Sequence, residues 1–302
     1  MANVRNRRLA AILLATLSFA LADPAQAAGG IGGSTTSDGA RMTWMNRQDL
    51  RAIKTSSAAD RGSEVAVRYE YTSVANCGSN TPNSTSPNDF CAGATLACQG
   101  RGDQEGLGPS VRLFRRTVNA AGAPTGPWVQ YGITCFPEDA PGPVRPRVTM
   151  AMVLAAFHDT DFAKPTLDVQ PRGNVTLVTL PTYFQTSWPQ SGYQPGEIDE
   201  VDPARMAGFR VEIRPRVKSI TYDYGDGSTS GATTSLGGPY PEGDITRTYT
   251  RAGDFTVRAD VTYSGQFRVN GGQWIDIPGD VTIRGPAENL TVKTAHARLV
   301  SH

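Results

Sequence analysis

Phe255, Val257, Ala259 and Val261 occupy every second position of one short run, with polar or charged residues between them. Side chains that alternate with period two stand on opposite faces of a strand, so this run has one face for a core and one for water. The habit recurs at Val175, Leu177 and Thr179 and at Phe209, Val211 and Ile213, with turn signals rich in Gly, Pro, Asn and Asp between such runs. Short alternating runs separated by turns predict a mainly β chain, with an antiparallel β-sandwich over residues 166–302. The 32 glycines and 21 prolines in 302 residues agree, because the long helices of a bundle tolerate few of either. At 39% hydrophobic residues the chain has enough apolar surface for one or two packed domains and is not disordered in composition.

A second strand-rich region spans residues 63–136. Val65, Val67, Tyr69 and Tyr71 fall on one face, and the stretches Val111 to Phe114 and Trp128 to Ile133 repeat the pattern between turns. Before it, residues 28–62 are rich in Gly, Ser and Thr with little apolar periodicity, which predicts a flexible leader. After it, Pro137, Pro141, Pro143 and Pro146 predict a stiff extended connection and place the domain boundary there. Val148, Met152, Ala155 and Ala156 then recur at helical spacing, so that residues 137–165 read as a Pro-rich linker and one short helix ending near His158.

Residues 1–27 combine Arg5, Arg7 and Arg8, an apolar run from Leu9 to Ala22, and the small-residue pattern Ala25-Gln26-Ala27. Those are the three parts of a secretory signal peptide. The run has 14 residues, short of the about 20 that a membrane-spanning helix needs, so cleavage after Ala27 is expected and no membrane span remains. Charge nearly cancels, with 29 Lys plus Arg against 28 Asp plus Glu, and no net field draws the chain to nucleic acid or an anionic membrane. Lys54, Lys164, Lys218 and Lys293 are the only lysines, an arginine bias that points to a high-GC bacterial genome. The sequons at Asn83, Asn174 and Asn289 are therefore expected to stay unmodified.

An oxidising compartment makes Cys77, Cys91, Cys98 and Cys135 disulfide candidates. Zinc would want close pairs, whereas these are separated by 13, 6 and 36 residues and the histidines are only His158, His296 and His302. No metal is expected. Of the three possible connectivities, Cys77 with Cys91 and Cys98 with Cys135 is favoured, since the first closes an Asn/Ser/Pro-rich loop and the second ties two strand-like segments. Spacing alone leaves the other two open.

Tyr222-Asp223-Tyr224-Gly225-Asp226-Gly227-Ser228 is the most specific string in the chain. Its strand turns alternate residues inward and runs into a tight turn, where Gly225 and Gly227 can take positive φ and Asp226 can accept from nearby backbone N–H groups. The string resembles the aromatic-Asp-aromatic-Gly-Asp-Gly signature of the polycystic kidney disease (PKD) domain. Downstream, Thr246 and Tyr249, then Gly253, Phe255, Thr256 and Val257, are similar to the strand pair that comes next in that family, and the resemblance covers Val217 to Val261. The chain departs from the pattern in a Gly-rich loop, Thr229 to Asp244, that includes Pro239 and Pro241. It departs again in a hairpin-like insert at 263–278, where Phe267, Trp274 and Ile275 lie about an Asn270-Gly271-Gly272 turn. The resemblance implies an immunoglobulin-like sandwich used outside the cell as a spacer or interaction module, without catalysis of its own. With its cysteine-bearing region, the chain is similar to secreted actinobacterial PKD-domain proteins.

The expected function is thus non-catalytic contact with an extracellular protein or polysaccharide, at the cell surface or in the medium, with no cofactor. Trp188, Tyr193, Phe267 and Trp274 sit among Gly, Pro and polar neighbours and are candidate binding aromatics. Calcium at Asp223 and Asp226 lacks the expected loop of alternating acidic ligands. A rival reading is a glycan hydrolase using two of Asp159, Asp161, Asp223 and Asp226, which needs two carboxyl groups about 5 to 10 Å apart across a cleft. Neither a G-x-S-x-G elbow, an H-E-x-x-H motif nor a phosphate loop is present, and His158 to Asp161 reads as a polar helix end. A purely structural spacer is the third possibility.

Overall fold

The computed structural model describes residues 34–35, 41–59, 67–101, 106–143 and 145–295. The expected signal peptide and residues 28–33, 36–40 and 60–62 of the expected leader lie outside them. The chain is mainly β, 42% strand against 12% helix.

The amino-terminal part holds a short ladder, β1 (Ser34–Thr35) with β2 (Arg41–Met42), then helix α1 (Arg47–Ala59). Next comes an antiparallel meander: β3 (Arg68–Ala75), β4 (Val111–Val118) and β5 (Val129–Thr134), with helix α2 (Ala92–Leu96) between β3 and β4. Helix α1 corrects the flexible-leader expectation. Asn46 and Asp49 each accept the other's backbone N–H at its start, a reciprocal cap, and Leu50 is fully buried against Val111, Leu113 and Phe136. So few apolar residues anchor this helix that its period is too sparse to read. The cysteines form the favoured pairing, Cys77–Cys91 and Cys98–Cys135.

Helix α3 (Met150–Asp159) leads into the larger β assembly, its first turn capped by Thr149. The strands are β6 (Thr166–Gln170), β7 (Val175–Leu177), β8 (Pro181–Ser187), β9 (Asp199–Val201), β10 (Val211–Asp223), β11 (Thr229–Thr233), β12 (Thr246–Thr248), β13 (Gly253–Val269), β14 (Ile275–Arg284) and β15 (Glu288–Lys293). They make a large sheet, β11-β10-β13-β15-β7 with β9 and β14 at its sides, and a small one, β12-β8-β6. Both sheets and α3 feed one core: Leu167, Val169 and Phe184 come from the small sheet, and Ile213, Val257 and Val261 from the large one. Phe157 of α3 closes onto β13 where Gly265 leaves room, since a Cβ there would lie 2.5 Å from its ring.

The alternation read at Phe255 to Val261 continues through Val269, so β13 is longer than the sequence suggested. The turn at 270–272 forms with positive φ at Asn270 (51°) and Gly271 (71°), which matches the twist of a hairpin. Its second arm belongs to the main sheet: β14 and then β15 lie end to end along the same edge of β13. The Pro-rich stretch is packed as well. Ala140 joins the amino-terminal core, Glu138 and Asp139 bind Arg47, and the Met150 N–H donates to the Gly108 carbonyl. With Phe90 edge-on to Phe267 and Gln99 donating to the Asp276 carbonyl, the described residues form one compact unit.

Leu50→Ala is expected to cost about 2–5 kcal/mol, as for other fully buried leucines. Urea unfolding of the chain from residue 28 measures it. A change under about 0.5 kcal/mol would mean that α1 does not belong to the fold.

Candidate functional site

The Tyr222 to Ser228 string ends β10 in a turn held by hydrogen bonds within it and by ion pairs to β12 and β13. Tyr222 and Tyr224 are buried, and the buried Tyr249 hydroxyl donates to the Tyr224 carbonyl at 2.9 Å. Gly225 has φ 72°, and a Cβ on it would come within 2.5 Å of the Thr256 carbonyl oxygen, so only glycine fits. Asp223 accepts the Gly225 N–H and pairs with Arg258 at 2.8 Å. Asp226 accepts the Ser228 N–H and hydroxyl with one oxygen and binds Arg247 Nε and Nη2 at 2.8 and 2.6 Å with the other. Burial would raise the Asp226 pKa, but the hydrogen bonds from Ser228 and Arg247 outweigh it and hold the carboxyl below its ordinary range. Gly253 opens β13 behind this turn. The motif is therefore structural, joining β10 to β12 and β13.

The other two candidate carboxylates lie elsewhere. Asp159 pairs with Arg205 at 2.5 Å beside the exposed His158, and Asp161 is exposed, with its backbone carbonyl accepting the Tyr193 N–H. No hydrogen bond or ion pair among the described residues joins these two to Asp223 or Asp226. No group of three His, Cys, Asp or Glu side chains converges for a metal among the described residues.

The four candidate aromatics do not form one surface. Phe267 is 1% exposed, a correction to its reading as an exposed anchor: it sits in the inward register of β13. Trp188 is half-buried against the core, its indole N–H donating to the Tyr263 hydroxyl at 2.7 Å. Tyr193 is half-buried beside Asp199, whose charge raises the phenol pKa. Trp274 is half-buried with the guanidinium carbons of Arg214 and Arg268 at 4.3 and 4.6 Å from its ring, above the buried Glu212 that Arg268 and Arg210 pair with. It covers an ion-pair cluster.

A cleft rich in hydrogen-bonding side chains runs along β6, the edge of the small sheet, and reaches Glu288 of β15. Strand alternation turns Asp168 and Gln170 of β6 and Tyr183 and Gln185 of β8 outward, and the register sets Asp168 opposite Gln185 and Gln170 opposite Tyr183. A groove of about 630 Å³ runs here, lined by Asp168, Gln170, Arg172, Asn174, Gln185 and Glu288 among others. Beside it stands Tyr240, 70% exposed, its ring edge-on to Tyr183 at 5.6 Å. Its loop is held to the sheet because the Tyr240 N–H donates to Gln170 Oε1 at 3.1 Å and the Gly238 N–H to the Phe184 carbonyl at 3.1 Å. An exposed ring beside amides, carboxylates and a guanidinium can stack on a flat apolar face and hydrogen-bond a ring of hydroxyls around it. Alternation alone hints at these residues; only the β6–β8 pairing and the returning loop gather them.

Comparison of the chain with protein families and with curated proteins finds no match.

Because the folded Asp226 pKa lies below its ordinary value of 3.8, its contribution to stability is complete above that value and is lost as pH falls through the folded pKa. Wild type is expected to be more stable than Asp226→Asn at neutral pH, with the gap closing between about pH 5 and pH 2 in thermal unfolding. A gap independent of pH would mean that the ion pair with Arg247 contributes nothing.

Proposed function

We propose that this protein is a secreted, non-catalytic, PKD-type module that binds extracellular polysaccharide in the groove on its small sheet. The observation that carries this reading is the exposed Tyr240 ring set beside a groove of polar side chains. The groove's size is within the usual range of ligand pockets, but its lining is richer in polar groups than a typical small-molecule site, which suits a polyhydroxylated ligand. The immunoglobulin-like part of the reading is supported by the two sheets that share a core and by the turn built from the Tyr222 to Ser228 string. Export is supported by two disulfides, which persist in oxidising compartments. No described helix is long and apolar enough to cross a membrane.

The test is retention of the chain from residue 28 on insoluble cellulose, chitin and peptidoglycan, with release of soluble sugar assayed in parallel. Binding to at least one of these is expected, weakened about tenfold by Tyr240→Ala and unchanged by Trp274→Ala. Retention on none would overturn the polysaccharide reading, and release of sugar by wild type would overturn the non-catalytic one.

A further inference from the structure

One wall of the groove along β6 is main chain. Leu167 and Val169 line it although their side chains are buried in the shared core, 8% and 6% exposed, so what they present to it is backbone. Strand pairing identifies the groups. On β8, the Phe184 and Thr186 N–H groups donate to the Ile245 and Leu236 carbonyls, and the Phe184 carbonyl accepts from Gly238. These two residues therefore use their main-chain groups on the side away from β6. Successive residues of a strand turn those groups to opposite edges, so Tyr183, Gln185 and Ser187 bond β6, through Gln170, Asp168 and Thr166. Leu167 and Val169 are left with N–H and C=O groups directed outward from an edge strand whose only neighbour in its sheet is β8. Among the described residues no backbone or side-chain group bonds them from that side.

A second wall comes from the large sheet. Glu288, the first residue of β15, is half-buried in the groove, and among the described residues its carboxylate has no hydrogen bond or ion pair. An ionised carboxylate accepts and cannot donate. The groove thus combines outward N–H donors on one sheet with an unpaired acceptor on the other. A hydroxyl is satisfied at either wall alone. A secondary amide is the group that uses both, because its carbonyl accepts and its N–H donates in opposite directions across one plane. Water occupies these groups in the free protein, so each exchanged bond gains little and is read as a preference among similar ligands. An extended peptide also carries secondary amides, and open edges do take added strands. Here, however, only two residues face outward and the next residue after β6 is Pro171, while the exposed Tyr240 ring beside the groove suits the face of a sugar.

We infer that the groove selects polysaccharides of N-acetylated amino sugars over those that carry hydroxyls alone. The acetamido carbonyl accepts from the outward N–H of Leu167 or Val169, and the acetamido N–H donates to the Glu288 carboxylate. This names the ligand class of the polysaccharide-binding groove and rests on that reading.

Three soluble tetramers with one β-1,4 backbone test this by calorimetry on the chain from residue 28: cellotetraose, with a hydroxyl at C2, chitotetraose, with an acetamide there, and deacetylated chitotetraose, with an amine. Chitotetraose is expected to bind at least about tenfold more tightly than either of the others, and Glu288→Ala to bring it down toward cellotetraose. Amide hydrogen exchange reads the other wall: the Leu167 and Val169 N–H groups should exchange faster than those of Asp168 and Gln170 and be slowed by chitotetraose. If Glu288→Ala does not fold, the exchange pattern decides with the wild-type affinities. Equal binding of chitotetraose and cellotetraose overturns the acetamide selection and leaves the polysaccharide reading standing, whereas binding of no tetramer and no insoluble polymer overturns both. Tightest binding of the amine assigns the preference to the charge of Asp168 and Glu288 and overturns the inference. Binding of a capped alternating Thr/Val hexapeptide with no tetramer bound assigns the edge to strand addition and overturns it too.

Discussion

The contact between Asp226 and Arg247 joins the two sheets of the larger β assembly. Asp226 closes the turn at the end of β10 in the large sheet, and Arg247 lies in β12, the edge of the small one. A second link runs parallel to it, from the Tyr249 hydroxyl to the Tyr224 carbonyl. Both links need the turn to be tight, and Gly225 permits that by letting the Thr256 backbone approach. The position of Tyr240 depends on the same turn. If β12 did not dock on β8, the loop between β11 and β12 would not return across the small sheet, and Tyr240 would not stand over Gln170. Ser235 and Asp244, hydrogen-bonded at 2.7 Å, close the base of that loop.

This arrangement separates what was legible in the sequence from what was not. The turn could be read because its requirements are local: alternate aromatics, two glycines and an aspartate within a few residues. Strand β13 was legible for the same reason, and the disulfide pairing came from loop closure. Helix α1 was not, since it is tied down by one fully buried leucine, Leu50, and by the long-range pairing of Arg47 with Glu138 and Asp139, and its cap, Asn46 with Asp49, is weaker as a signal than a Ser or Thr with Glu. The groove was less legible still. Asp168, Gln185 and Glu288 are ordinary surface residues in sequence, and only strand pairing makes them neighbours. Phe267 and Trp274 show the opposite error: Gly-rich surroundings suggested exposure, but one is an inward residue of a long strand and the other caps an ion-pair cluster.

The candidate site and the contacts that hold the two sheets together sit on different parts of the chain. The Gly-rich, Pro-containing loop from Thr229 to Asp244 carries Tyr240, and the turn after β10 carries Asp226. Such a division suits a scaffold that holds its core by a few demanding contacts and varies its loops, because loop changes leave the core's packing intact. Glycines let the loop approach the sheet closely: a Cβ at Gly237 would run into the Phe184 carbonyl. The closeness keeps Tyr240 beside the groove at low conformational cost, which matters for ligands whose hydroxyls exchange one hydrogen bond for another with water and gain little from each.

Net charge hides a further division. With 29 basic and 28 acidic residues the chain is nearly neutral, yet its buried and half-buried charges are handled in two ways. In the larger β assembly Glu212 and Asp226 each sit against guanidiniums, so charge there is settled within the fold. Beside the amino-terminal meander, Arg145 and Arg147 find hydroxyls, an amide and a carbonyl but no acid. Such contacts bond the guanidiniums without neutralising them, so the meander carries its buried cation at a cost that the larger assembly avoids.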